Sequence, residues 1–151
     1  MKILCLCLGN ICRSPTAEAV LRAKAQAAGL DWRIDSAGTG DWHAGESADH
    51  RAQASAQARG YAMSDQRARQ ITAQDFKAFD LILAMDDSNL RDAARIAPPE
   101  ARAQLHRFLD LAGMPQAGDR GNVPDPYYTG NFDAVLELIE TAADRLVSRL
   151  R

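Results

Sequence analysis

Short, wholly apolar runs alternate with longer amphipathic stretches along this chain of 151 residues. Residues 2–7, Lys-Ile-Leu-Cys-Leu-Cys, read as a strand buried on both faces, the pattern of a parallel sheet. Trp32 to Ala37, Asp80 to Met85 and Leu105 to Leu109 are the other predicted strands. The intervening pattern is helical. One helix runs from Thr16 to Ala28, with Ser14 able to cap it, Pro15 suited to its first turn and Gly29 as its stop. A second is opened by Ser47 or Asp49 and ends at Gly60. Thr72-Ala73-Gln74-Asp75 begins a short one, a capping-box variant with Asp in place of Glu. Asp86 to Ile96 forms the next and stops before Pro98-Pro99, and the last carries Phe132, Val135, Ile139, Ala142 and Leu146 on one face. The alternation predicts a small doubly wound α/β domain over residues 1–151. Four parallel strands would have helices on both faces and a ligand site beyond their C-terminal ends.

The site is expected where the first strand meets the first helix. Cys7-Leu8-Gly9-Asn10-Ile11-Cys12-Arg13-Ser14-Pro15 places a Cys at the start of a tight loop and an Arg at its close. Loop amides, a helix N-terminus and a guanidinium then converge on one point, which suits a phosphate-like dianion. A thiol held against that point is favoured as thiolate, the nucleophilic form. Cys7 is therefore the expected nucleophile and Arg13 the bidentate phosphate clamp, a task Lys would not reproduce. Ser14 can donate to the thiolate. Gly9 allows a tight turn, and Asn10 tolerates left-handed backbone and can brace the loop. Leu8, Ile11 and Cys12 complete the cradle. The leaving oxygen needs an acid. Asp125, between Pro124 and Pro126 in the long Gly- and Pro-rich loop 113–128, is the candidate, with Tyr127 and Tyr128 beside it to flank an aromatic ring. Asp119 in the same loop is the next choice.

Composition narrows the field by exclusion. A formal net charge of −2 and no long basic run give no sign of a nucleic-acid partner. The apolar start is too brief, and too quickly broken by Gly9-Asn10, to read as a signal peptide, and no segment is long enough to span a bilayer. Cys5, Cys7 and Cys12 crowd into eight residues, which is no secreted disulfide framework, and a reducing cytoplasm is expected. His43, His50 and His106 lack metal-ligand spacing and read as structural or solvated, so neither metal nor cofactor is expected. Cys5 and Trp32 read as core or sheet. Trp42 in the glycine-rich loop 38–45 is a candidate wall of the cleft. Asp86 either supports the site or simply caps a helix.

The loop Cys7 to Pro15, together with Asp125-Pro126-Tyr127, resembles the low-molecular-weight protein tyrosine phosphatases. Asp35-Ser36-Ala37-Gly38-Thr39, Arg69-Gln70-Ile71-Thr72 with Asp75-Phe76, Phe79-Asp80, and Met85-Asp86 with Ser88-Asn89-Leu90 extend the resemblance nearly end to end. It implies a four-stranded parallel sheet, a phosphocysteine intermediate and no metal. It also implies Cys7 as nucleophile, Arg13 as clamp, Asp125 as acid, Asn10, Ser14 and Ser36 as loop braces, and Trp42 as an aromatic wall. Phosphotyrosine-containing proteins are the expected partners, and the protein itself is expected as a monomer or a weak self-associate.

Three other functions compete. Arsenate reduction on this scaffold needs further cysteines, and none follows Cys12. Protein-arginine phosphatases share the loop but resemble cases with Thr where this chain has Ile11. A phosphate-binding module would dispense with Asp125. Cys12 is also a candidate redox partner for Cys7, able to shield it in a reversible disulfide.

Overall fold

The computed structural model describes all 151 residues. Four strands, β1 (Lys2–Cys7), β2 (Arg33–Gly38), β3 (Leu81–Ala84) and β4 (Gln104–Arg107), pair in parallel in the order β2-β1-β3-β4. Eight helical segments join and cover them. They are α1 (Arg13–Ala27), α2 (His50–Ala58), α3 (Asp75–Ala78), α4 (Asp87–Ile96), α5 (Phe108–Leu111), α6 (Ala117–Arg120), α7 (Pro126–Thr129) and α8 (Phe132–Leu150).

Period-two alternation explains the layering. Ile3, Cys5 and Cys7 of β1 face a core shared with Val20 and Leu21 of α1 and with Leu136, Ile139 and Leu146 of α8. Leu4 and Leu6 face the other way, onto Ile71, Phe76, Ile82 and Ala93 beside α3 and α4. A central strand buried on both faces has no room for a polar side chain, hence its unbroken apolar run. Each such aliphatic side chain taken from water contributes about 1.5–3 kcal/mol.

The strand order sets the location of chemistry. From β1 the chain leaves for β2 on one side, then crosses to β3 on the other, so a crevice opens beyond the C-terminal ends of β1 and β3. Cys7 ends β1, and Asp86 follows β3 by two residues.

Two expectations are corrected here. The fourth strand is Gln104–Arg107 rather than Leu105 to Leu109, because its partner β3 has only four residues to pair, Leu81↔Gln104 through Ala84↔Arg107. Phe108 and Leu109 turn instead into α5 and are fully buried in the larger core. Ser14 does not cap α1. It lies inside the first turn, and the N-cap position is Cys12, which makes no side-chain cap. The hydroxyl of Ser14 is committed to the loop before the helix. By contrast Asp49, rather than Ser47, caps α2, and Asp75 accepts the Thr72 amide at 2.8 Å, as in a capping box.

Candidate active site

The loop between β1 and α1 folds back around the sulfur that ends the strand. The amide of Asn10 donates to Cys7 Sγ at 3.3 Å, and Ser14 Oγ lies 2.9 Å from the same sulfur. The amides of Leu8, Gly9, Ile11 and Cys12 donate to no group of the protein. Together with the uncapped start of α1 they form a nest of donors suited to an anion. The turn depends on Asn10, whose φ of 58° is left-handed. Gly9 has an ordinary φ. Its lack of a side chain matters for closeness, since a Cβ there would sit 3.1 Å from His43 Cδ2. Gly38 serves similarly: a Cβ would meet Leu8 O at 2.7 Å.

Asn10 is held in that unusual backbone by a buried relay. Its Oδ1 accepts the Arg69 amide at 3.0 Å, which orients the side-chain amide, and Nδ2 donates to Ser14 Oγ at 2.8 Å and Ser36 Oγ at 3.0 Å. Ser36 Oγ in turn donates to Glu18 Oε1 at 2.7 Å. With Asn10 donating into it, the Ser14 hydroxyl has its one proton to share between Cys7 Sγ at 2.9 Å and the Ala37 carbonyl at 3.3 Å, the sulfur being the nearer. Arg69 itself is fixed by Asp75, at 3.0 Å to both carboxylate oxygens, and by Asp35 at 3.2 Å.

Arg13 is buried, with Nη1 spent on Asp86 Oδ2 at 2.6 Å and Val123 O at 3.0 Å. Nε and Nη2 remain for a ligand, and Nη2 lies 3.6 Å from Asp125 Oδ2. Burial alone would lower the guanidinium pKa, but Cys7, Asp86 and Asp125 outweigh it and push the value up. Asp86 makes contacts of both kinds: Oδ2 accepts from Arg13 Nη1 while Oδ1 caps α4 through the Asn89 amide at 2.8 Å.

Cys7, Arg13 and Asp125 meet in one cavity of about 330 Å³. Leu8, Gly9, Ile11, Cys12, Trp42, His43, Tyr127 and Tyr128 complete its lining. Trp42 is 69% exposed and lies across Gly40, where any Cβ would fall 1.7 Å from its ring. Tyr127 and Tyr128 meet edge to face at 4.9 Å between ring centres. Asp119 is exposed and does not line the cavity.

The sequence and shape have known counterparts. A family model described as low molecular weight phosphotyrosine protein phosphatase matches residues 2–151. The chain belongs to that family. It is 44% identical to a low molecular weight protein-tyrosine-phosphatase of Streptomyces coelicolor, over 99% of this chain and 93% of that one. It is 39% identical to YfkJ of Bacillus subtilis, whose crystal structure superposes with a TM-score of 0.90 over 99% of this chain and 94% of that one. A Drosophila arginine phosphatase superposes with a TM-score of 0.91 at 32% identity, covering 100% of this chain and 98% of that one.

In this phosphatase the second thiol of the loop, Cys12, is buried. Burial first, then the carboxylate of Asp49 and the neighbouring Cys7 and Asp125, push the Cys12 thiol up to about 12. Cys12 packs beside Ala19, Ala52, Met63 and Phe132. Cys5 is likewise raised, chiefly by complete burial, and sits in the core as its alternation with Cys7 implies. All three thiols are free. Trp32 precedes β2 and packs against the larger core.

His43 stands closer to the site than the sequence alone suggested. Beyond the structural or solvated role expected, it lines the cavity, with Nδ1 bonded to Glu46 Oε2 at 2.6 Å and its ring 6.4 Å from that of Tyr127. Its place beside Trp42 in a glycine-rich loop was the available signal. Sequence reasoning also left Glu18, Arg69 and Val123 without roles. Glu18 is buried on α1 and its carboxyl is raised, mainly by desolvation. No spacing rule would have linked Val123 O to Arg13, 110 residues away.

Proposed function

We propose that this phosphatase hydrolyses protein phosphotyrosine through a phosphocysteine formed on Cys7. The observation that carries the reading is the convergence of Cys7 Sγ, the unspent Nε and Nη2 of Arg13, and Asp125 in one cavity floored by free loop amides. The Cys7 thiolate attacks phosphorus while Arg13 and the amides hold the non-bridging oxygens, on which negative charge accumulates. Asp125 gives its proton to the departing phenolic oxygen, which leaves as the phenol. Asp125 then takes a proton from water, whose oxygen attacks the phosphocysteine and releases inorganic phosphate and the Cys7 thiolate. Such an acid is worth about 10²–10⁴-fold. Asp125 Oδ1 accepts the Tyr127 amide at 3.0 Å and so turns Oδ2 toward the cavity side, which supports the assignment.

The walls suit an aryl ester. Trp42 and Tyr127 can flank a ring, and the length of a tyrosine carries its phosphorus to the floor, where a phosphoserine would stop short. Ile11 would disfavour the broad polar head of a phosphoarginine, which it cannot satisfy with hydrogen bonds. Because a relative of this fold is an arginine phosphatase, Ile11→Thr is the informative variant: relative phosphoarginine turnover should rise, and an unmoved ratio removes Ile11 as the selector. Three unpaired thiols are consistent with a cytoplasmic protein, and phosphotyrosine-containing proteins are its proposed partners, met as a monomer or weak self-associate.

Rapid quench with a radiolabelled aryl phosphate tests the chemistry. Label should be trapped on the Cys7 peptide and be absent from Cys7→Ser, which should be inactive. Turnover by Cys7→Ser at the wild-type rate would end this reading.

A further inference from the structure

We propose that Asn122 is a positioning residue for catalysis, tying the loop that carries Asp125 to the N-terminus of α4; the proposal rests on Asp125 being the general acid. The loop before Asp125 has little regular structure of its own. Gly118, Arg120 and Gly121 all have positive φ, at 61°, 55° and 88°, and the segment closes on itself through a pair of hydrogen bonds between Asp119 and Asn122 and one from the Gly121 amide to Ala117 O. Left-handed backbone at a non-glycine such as Arg120 is unfavourable and persists only when its surroundings impose it.

Asn122 supplies that imposition at the end nearest the acid. Its Oδ1 accepts the Asp87 amide at 2.8 Å, one of the unpaired donors that open α4. Asp86 satisfies the Asn89 amide on the same turn and holds Arg13 with its other oxygen. The next residue, Val123, is gripped on both sides: its amide donates to Met85 O at 2.8 Å and its carbonyl accepts Arg13 Nη1 at 3.0 Å. From the outside Arg107 holds the same stretch, donating to Arg120 O at 3.0 Å while Asp110 fixes its guanidinium at 2.8 Å through both carboxylate oxygens. A Cβ at Gly121 would lie 2.5 Å from Arg107 Nη2, so loop and guanidinium are in direct contact. One helix start thus references both the phosphate clamp and, through Asn122, the acid three residues on.

Removing the Asn122 amide should displace Asp125 without touching the thiolate or the clamp. The experiment compares kcat/KM on phenyl phosphate, which needs a proton on leaving, with p-nitrophenyl phosphate, which hardly does. The enzymes are wild type, Asn122→Ala, Asn122→Asp, Asp125→Asn and the double variant Asn122→Ala/Asp125→Asn. Asn122→Ala should lose about tenfold on phenyl phosphate and less than about threefold on p-nitrophenyl phosphate, a fraction of the full value of an acid. Inhibition by inorganic phosphate should stay within about twofold. Asn122→Asp keeps the acceptor for Asp87 and should stay near wild type on both esters. In the Asp125→Asn background Asn122→Ala should cost nothing more, because both changes remove the same proton delivery. Equal losses on the two esters, failure of Asn122→Asp to rescue, or additive losses in the double variant would overturn the proposal while leaving the acid in place. A flat leaving-group response in Asp125→Asn itself would overturn the acid assignment and this inference with it.

Discussion

Asp86 carries two jobs on two oxygens, and substitution can separate them. Asp86→Asn keeps an oxygen for the Asn89 amide, and Asn is as good an N-cap as Asp. It loses the charge opposite Arg13, however, and turns an NH₂ group toward Nη1, donor against donor. Asp86→Ala loses both. A hydrogen bond to a charged group contributes about 1.5–3 kcal/mol and an N-cap about 0.5–2. Arg13 is nearly inaccessible to water, so little of its loss is recovered by solvent. Asp86→Asn should therefore melt about 3–12 °C below wild type, and Asp86→Ala about a further 1–8 °C lower, for a chain of this size. If Arg13 grips the transition state as proposed and the lost energy is also withdrawn there, kcat/KM on p-nitrophenyl phosphate falls about 10- to 100-fold in both variants, with phosphate inhibition weakened in parallel. Steady-state kinetics and thermal unfolding on the same preparations decide it. Wild-type kcat/KM in Asp86→Asn would show that Arg13 is aligned without this carboxylate. Equal melting of the two variants would show that the cap contributes nothing.

Three further outcomes follow from the same geometry. With its thiol pushed up to about 12, Cys12 holds on the order of one part in 10⁵ as thiolate at pH 7. Iodoacetamide at that pH should therefore label Cys7 and spare Cys12, and Cys12→Ser should keep most activity; peptide mapping that finds Cys12 labelled first contradicts the electrostatics. Burial raises the Glu18 carboxyl above its ordinary 4.5, so the unfolded chain ionises first and stability falls as pH rises from there through the raised value. Glu18→Gln should consequently gain on wild type in urea unfolding between pH 4 and pH 7, and a constant difference refutes the reasoning. Gly40→Ala would drive a methyl into the Trp42 ring and should raise KM for phosphotyrosine peptides as much as Trp42→Ala does, with kcat on p-nitrophenyl phosphate little changed. A normal KM in Gly40→Ala would mean that the ring's position is immaterial.

Local grammar carried much of this protein. Apolar runs, a Gly at a helix stop, Asp49 and Asp86 as caps and the Cys7-to-Arg13 spacing are all short-range facts, and a strand, a nest of amides or a helix start is made by a few consecutive residues. That is why β1, the loop and the family were legible in the chain alone. Tertiary structure decided what depends on partners. β4 stops at Arg107 because β3 has no more residues to offer. Ser14 gives up capping because Cys7 and Asn10 claim its hydroxyl. Gly9 is tight because His43 crosses above it rather than because of its φ. Glu18 is buried, Val123 O reaches Arg13 and Asn122 reaches Asp87 only after strands distant in sequence have been brought side by side. Hydrogen bonds and desolvation act over a few ångströms of space, and separations of 35 to 110 residues leave no periodicity in a sequence from which to read them.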